Sequence, residues 1–271
     1  MIVRAPATSA NLGAGFDCAA VALDLWNEVE IVAREGVVVE GEGAGELPED
    51  ETNLAVRAYA LLADPAGRGF CFVNRIPLES GLGSSAAAIA LGLRAAAPGA
   101  PDEELLALGL TLEPHADNLA AALAGGVVLT WEGRIARIAD TLPLEPVAVV
   151  PPGRVSTEAA RNALPAQIPH GDAAFTLARA ALLGAGAASR DADLFAAALD
   201  DRVHEPYRES RLVQELRESL PTGARGVTLS GSGPTAIVWA EDAAACAADL
   251  APRYPDHRVL PLGVSPRGAH A

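Results

Sequence analysis

Residues Pro77 to Leu93 read PLESGLGSSAAAIALGL, with two glycines and two serines directly ahead of an alanine- and leucine-rich run. Glycines such as Gly81 and Gly83 let a backbone take left-handed angles and approach a partner closely. Ser84 to Ala96 is predicted as a helix. Its first N–H groups have no intrahelical acceptor and form the positive end of its dipole. Such a turn serves tight packing or cradles an anion. Two more glycine-rich turns stand far off in the chain, SANLGAGFD (Ser9 to Asp17) and LSGSGPT (Leu229 to Thr235), and each follows a predicted strand. Three in one domain-sized chain favour a phosphate site.

What kind of phosphate site is narrowed by an absence. All twenty basic residues are arginines. A Walker-A lysine, a Schiff-base lysine and any other catalytic lysine are therefore excluded. Anions must be met by arginine, backbone N–H groups, hydroxyls or metal. The second turn also fits the dinucleotide fingerprint in its G-x-G-x-x-A form, through Gly81, Gly83 and Ala86. Asp102 or Glu103 follows at about the expected spacing of ~20 residues. Those acids stand after PGAP at a helix start, whereas the fingerprint wants the end of a second parallel strand. The Rossmann reading is set aside.

The chain has 271 residues, half of them hydrophobic, and a formal net charge of -15. That length suits one large domain or two small ones. The charge argues against nucleic acid or an anionic membrane as partner. No stretch approaches ~18 uninterrupted apolar residues, and MIVRAPATSAN lacks a signal-peptide core. The expectation is a cytoplasmic protein with no transmembrane helix. Cys18, Cys71 and Cys246 lie far apart among apolar residues and read as buried reduced thiols.

Apolar patterning predicts strands at MIVRA, NEVEIVA, GVVVE, GFCFVNRI, PVAVVPP and HRVLPLGV. GGVVLTWEGRIARI reads as a hairpin and GVTLSGSGPTAIVWA as strand–turn–strand. Helices are predicted at TNLAVRAYALLA, EELLALGLTL, DNLAAALA, STEAARNAL, DAAFTLARAALLGA, DADLFAAAL, SRLVQELRESL and EDAAACAADLA. The expected caps are Thr52, Asp102, Asp117 or Asn118, and Ser156 or Thr157. Strands and helices mix without strict βαβα alternation, so the class is α+β. The Leu142 to Pro151 region is the candidate boundary, giving domains 1–145 and 146–271.

LEPHADN places Glu113, His115, Asp117 and Asn118 within six positions. One histidine without a cysteine partner makes a poor zinc site. Magnesium fits better, because one carboxylate, a serine hydroxyl and substrate phosphates suffice for it. Arg161 and Arg208 are natural anchors for a small anionic substrate in so acidic a chain.

These segments resemble the GHMP kinase superfamily. Pro77 to Ala87 is similar to its P-x-x-x-G-L-G-S-S-A-A motif throughout, and LSGSGPT to its third motif. Within it the chain resembles the homoserine kinase family, through APATSANLGAGFD, EPHADNLAAALAGG, VSTEAARNALP, HEPYRESRL and GARGVTLSGSGPT, in that family's order and over nearly the whole chain. The resemblance implies a two-domain GHMP kinase fold. Its N-terminal half is like domain 2 of ribosomal protein S5, and its C-terminal half is ferredoxin-like. It implies ATP-dependent phosphorylation of the side-chain hydroxyl of L-homoserine, with ATP and Mg²⁺ as cofactors, and a homodimer.

It also implies roles for residues. Pro77, Leu78, Glu79, Ser80, Gly81, Leu82, Gly83, Ser84, Ser85 and Ala86 would wrap the nucleotide, with Asn53 nearby. Ser85 and Glu113 would hold Mg²⁺. Asn11, Asp17, His115, Asn118, Arg161 and Arg208 would line the amino-acid site. Asn118, Glu113, Thr157 and Arg161 would be the catalytic set. The residue types suit the substrate: two guanidiniums for the carboxylate, Asp17 for the ammonium, and Asn118 or Asn11 for the hydroxyl. With no lysine to serve as partner to a base, positioning and electrostatic neutralisation are expected to carry the reaction. Three departures stand out. Glu79 replaces a usually small residue, HADN replaces HPDN, and the chain is short for the family.

Overall fold

The computed structural model describes residues 1–271. A six-stranded sheet forms from β1 (Ile2–Asn11), β2 (Gly15–Val32), β3 (Gly36–Gly41), β4 (Gly69–Asn74), β5 (Val127–Trp131) and β6 (Arg134–Ala139). Its main path runs β3-β4-β2-β5-β6, and β1 pairs with β2. Only β3 and β4 are parallel; the other pairs are antiparallel. Helices α1 (Leu54–Ala60), α2 (Ser84–Ala96), α3 (Asp102–Gly109) and α4 (Ala116–Ala124) belong to this half. Gly92 lets α1 and α2 touch backbone to side, since a Cβ there would meet the Ala55 carbonyl.

The second sheet contains β7 (Glu145–Val150), β8 (Ala224–Leu229), β9 (Ala236–Ala240) and β10 (Arg258–Pro261), in the order β10-β7-β9-β8. All its pairs are antiparallel. Between β7 and β8 lie α5 (Thr157–Asn162), α6 (His170–Ser189), α7 (Ala192–Ala197), a 3₁₀ turn (Glu205–Tyr207) and α8 (Arg211–Glu218). α9 (Ala243–Arg253) joins β9 to β10. The succession β-α-β-β-α-β in this strand order is ferredoxin-like, as expected.

The unbroken apolar runs of β7 and β9 follow from burial on both faces. Val147, Val149, Ala236, Val238 and Ala240 face a small core with Val213 and Leu216 of α8 and Leu250 of α9. Ala148, Val150, Ile237 and Trp239 face the main core. That core continues into the first sheet through Val3, Val21 and Leu23, so the two sheets share one apolar interior. No helix is long and apolar enough to cross a membrane.

Several caps differ from expectation. Asn53, not Thr52, caps α1 by accepting from Ala55 N–H at 3.0 Å. Asp102 is inside α3, where it pairs with the buried Arg94 instead of capping. α4 begins at Ala116, with His115 at the cap position and no side-chain cap bond. Asp117 and Asn118 thus lie within the first turn, Asp117 buried and Asn118 half-buried. Ser156 caps α5, one of the two residues foreseen.

Candidate active site

The three glycine-rich loops meet. Thr8 N–H donates to Leu82 O at 3.0 Å, Gly231 N–H to Ala10 O at 3.2 Å, and Thr235 N–H to Ser80 O at 3.1 Å. The Ser230 hydroxyl donates to Gly81 O at 2.7 Å and lies 2.9 Å from Ser9 Oγ. A Cβ on Gly81 would strike the Ser230 carbonyl, and one on Gly83 the Thr8 hydroxyl. Glycine is therefore required at both positions by contact as well as by φ values of +85° and +68°. The first loop carries consecutive left-handed residues, Asn11, Leu12 and Gly13. Asn11 holds it, accepting from Asp17 N–H at 3.0 Å and donating to Gly231 O at 3.1 Å.

These loops border a cavity of about 650 Å³. Gly83 is the left-handed cap residue of α2 and supplies no side-chain acceptor, so the first N–H groups of this helix stay open beside Ser84 and Ser85. Ser84, Ser85, Leu78, Glu79, Ser80, Gly81 and Gly83 line the cavity, as does Asn53. Pro77, Leu82 and Ala86 do not. They are buried behind the loop, and Leu82 anchors it through Thr8. The far wall beyond Asn53 is built from Asn27, Phe72, Asn74 and Leu91, none of which was foreseen.

Asn11, Asp17, Glu113, His115, Asn118, Thr157, Arg161 and Arg208 all line the same cavity. Arg161 grips Asp17 with a two-pronged pair, Nη1 to Oδ2 at 3.1 Å and Nη2 to Oδ1 at 2.7 Å. Arg208 donates to Gly231 O at 2.6 Å and lies over the Phe16 ring. The Nε atoms of both arginines are buried without a partner. Asn118 accepts from the Thr8 hydroxyl at 2.7 Å, which fixes its amide plane. Thr157 Oγ1 meets Ser232 Oγ at 3.2 Å, tying α5 to the third loop. The Glu46–Arg154 ion pair and a bond from Val155 N–H to Glu79 O carry the chain ahead of α5 across the cavity's rim.

Two carboxyl groups in the cavity are shifted in opposite directions. Burial raises Glu113, but hydrogen bonds from His115, at 3.3 Å, and from the Ser85 hydroxyl outweigh it and hold the acid below its ordinary value. An ionised carboxylate beside a serine hydroxyl suits a hard cation that takes its other ligands from phosphates and water. No group of three or more acidic, histidine or cysteine residues forms a cage of its own. The pair therefore fits Mg²⁺ accompanied by a nucleotide. Asp117 is the opposite case. It is 4% exposed, and burial pushes its pKa from 3.8 to about 6, aided by Asp17 and opposed by the Asn118 N–H, His115 and Arg161. Sequence reasoning treated Asp117 as a cap; its place among polar neighbours in PHADN was the available signal.

A family profile described as the GHMP kinases N-terminal domain matches residues 53–126. A homoserine kinase of Streptomyces avermitilis is 41% identical over 90% of this chain and 86% of that protein. One of Gloeobacter violaceus is 39% identical over 99% of this chain and 97% of that protein. The crystal structure of a homoserine kinase from Cytophaga hutchinsonii superposes with a TM-score of 0.85 at 27% identity, covering 99% of this chain and 96% of that one.

Proposed function

Because the chain belongs to the homoserine kinase family of GHMP kinases, we propose a division of labour along its cleft. The enzyme transfers the γ-phosphoryl group of ATP to the side-chain hydroxyl of L-homoserine, giving O-phospho-L-homoserine for threonine biosynthesis, and ADP. The open end of α2 and the loop from Leu78 to Ser85 take the phosphates, with Asn53 nearer the nucleoside. Pro77, Leu82 and Ala86 support that loop from behind.

Ser85 and Glu113 hold Mg²⁺, which would neutralise charge on the phosphates. Arg161 and Arg208 bind the homoserine carboxylate and Asp17 its ammonium. His115 holds Glu113, and Asn118, Asn11 and Thr157 orient the hydroxyl. The new bond forms between that hydroxyl oxygen and the γ-phosphorus as the bond to the bridging oxygen of ADP breaks, and the hydroxyl proton passes late to an oxygen of the transferred phosphoryl group. A loose phosphoryl-transfer transition state asks chiefly for alignment and for charge stabilisation by the N–H groups of α2. A second reading has Asp117 accept the hydroxyl proton. It is favoured by one observation, a buried carboxyl on the cavity wall with a pKa near 6.

The observation that carries the proposal is a charge arrangement. An Asp–Arg pair suited to a zwitterion shares one cavity with an uncapped, glycine-bordered helix end. We further propose that the halves divide at 145/146, and that the enzyme is a cytoplasmic homodimer. Its free cysteines accord with a reducing compartment. Purified protein with Mg-ATP and a panel of alcohols tests the function. ADP release with L-homoserine, and not with mevalonate or galactose, is expected. Ligand-induced stabilisation without turnover of any alcohol would refute it in favour of a sensor.

A further inference from the structure

The segment from Asp201 to Arg208 buries far more ionisable chemistry than its one cavity-facing side chain accounts for. Asp201, His204 and Glu205 are 6%, 0% and 8% exposed. The Asp201 carboxylate accepts from three successive N–H groups, those of Val203, His204 and Glu205, and from the Thr176 hydroxyl. Glu205 is gripped by Arg217 and accepts from Leu229 N–H at 2.7 Å. The bonds to N–H groups fix the backbone of Val203, His204 and Glu205, and Arg208 ends the 3₁₀ turn that this stretch opens.

His204 reaches further. Its Nε2 is 2.8 Å from Gly13 O in the first glycine loop. A carbonyl only accepts, so Nε2 carries the proton and Nδ1 is left as an acceptor. Nδ1 lies 3.3 Å from Arg208 Nη1. The ring stacks on Phe16 at 4.9 Å, and Arg208 lies over the same phenyl group. Burial pushes the His204 pKa down to about 4. The ring is thus neutral at neutral pH: the Arg208 charge reinforces burial, and Asp201, 3.6 Å away, the Gly13 carbonyl and Asp17 oppose it without prevailing.

We propose that His204 is a positioning residue for the amino-acid substrate, its Nδ1 holding the Arg208 guanidinium while its Nε2–H registers Arg208 against the loop that carries Asp17. This rests on the reading of Arg208 as a carboxylate ligand. The two ring nitrogens then have separable duties. An asparagine places its side-chain oxygen near the position of Nδ1, and a glutamine places its amide nitrogen near that of Nε2. The substitution His204→Asn would keep an acceptor for Arg208 and lose the bond to Gly13. His204→Gln would do the reverse.

The test compares H204N, H204Q, H204A and R208A by steady-state kinetics with Mg-ATP and L-homoserine. The expected result is a homoserine KM raised about tenfold or more in H204Q, H204A and R208A, nearer to wild type in H204N, with the ATP KM within about twofold throughout. A loss through Gly13 alone would make glutamine the better replacement, and that order overturns the inference. Parallel rises in both KM values overturn it too. An unchanged homoserine KM in R208A would instead strike at the substrate site proposed above, whatever the His204 variants do. Should the variants fail to fold, ¹⁵N NMR of the wild-type imidazole decides. An Nε2–H tautomer whose Nδ1 resonance moves on adding homoserine supports the role; the opposite tautomer, or no movement, refutes it.

Discussion

Asp117 should make the wild-type enzyme less stable than it could be. The carboxyl is buried, with a pKa raised from 3.8 to about 6. Between these values the folded protein holds a proton that the unfolded chain has lost. Its stability therefore falls as pH rises through that window, and above it a charged group stays buried. The difference between 3.8 and about 6 corresponds to about 3 kcal/mol at most. Asp117→Asn keeps an oxygen for the Asn118 N–H, bonded at 2.7 Å in wild type, and carries no charge. The variant should match wild type near pH 4 and exceed it at pH 8, by up to roughly 6–10 °C in Tm. Glu205, also raised to about 6 by burial, is present in both proteins and cancels in the comparison. Urea or thermal unfolding at several pH values measures this. A stability difference that does not change with pH would refute the argument. Activity separates the two mechanistic readings: a general base should cost about 10²-fold or more in kcat, and a loss of less than tenfold leaves direct transfer alone.

The remaining predictions concern single contacts. Arg161→Ala should raise the homoserine KM strongly and leave the ATP KM nearly unchanged, because Arg161 spans to Asp17 and not to the phosphate loop; equal effects on both would remove it from the substrate site. Glu113→Gln should lower kcat and shift the Mg²⁺ dependence to higher concentration, and a wild-type metal titration in that variant would refute the ligand role. Glu79 is a non-glycine residue at φ +50° on the cavity's rim. Glu79→Gly should stabilise by about 1 kcal/mol through relief of that angle and lower the ATP KM by removing a carboxylate near the phosphates. An unchanged ATP KM would show that Glu79 points away.

Legibility followed sequence distance. The glycine turn and the helix it opens could be read directly because its glycines, its serines and that helix are contiguous, and each residue type carries its own physics. The strands β7 and β9 were readable because, covered on both faces, they have no polar alternation to confuse with a helix, whereas the ferredoxin-like order of the C-terminal sheet came only from the resemblance. The pairings were not readable. Asp17 and Arg161 are 144 positions apart, and only the fold makes them partners. Arg154 and Glu46 are 108 apart. Asp117 looked like a cap because an acid near a helix start usually is one. Its helix begins one residue earlier, which rotates the carboxyl toward the interior. His204 and Glu205 were visible only as part of the resembling segment HEPYRESRL, and nothing in that segment gave them a duty; the fold sets His204 against Arg208 and Glu205 against the strand bearing the third loop.

The Asp17–Arg161 pair bears on selectivity in a chain without lysine. Until the amino acid binds, each of these charges satisfies the other, so the cavity need hold neither an unpaired carboxylate nor an unpaired guanidinium. A ligand with only a carboxylate would take Arg161 and strand Asp17, and leaving a charge unpaired in a partly desolvated site is costly. A zwitterion replaces one ion pair with two and strands nothing. On the proposed reading Arg208 would strengthen the bias, because its guanidinium is held to Gly231 O and His204 and would stay in the cleft as a second cation for the same carboxylate. In the site proposed for this enzyme, discrimination against other alcohols thus comes less from contacts to the reacting hydroxyl than from what an ill-matched ligand leaves unpaired.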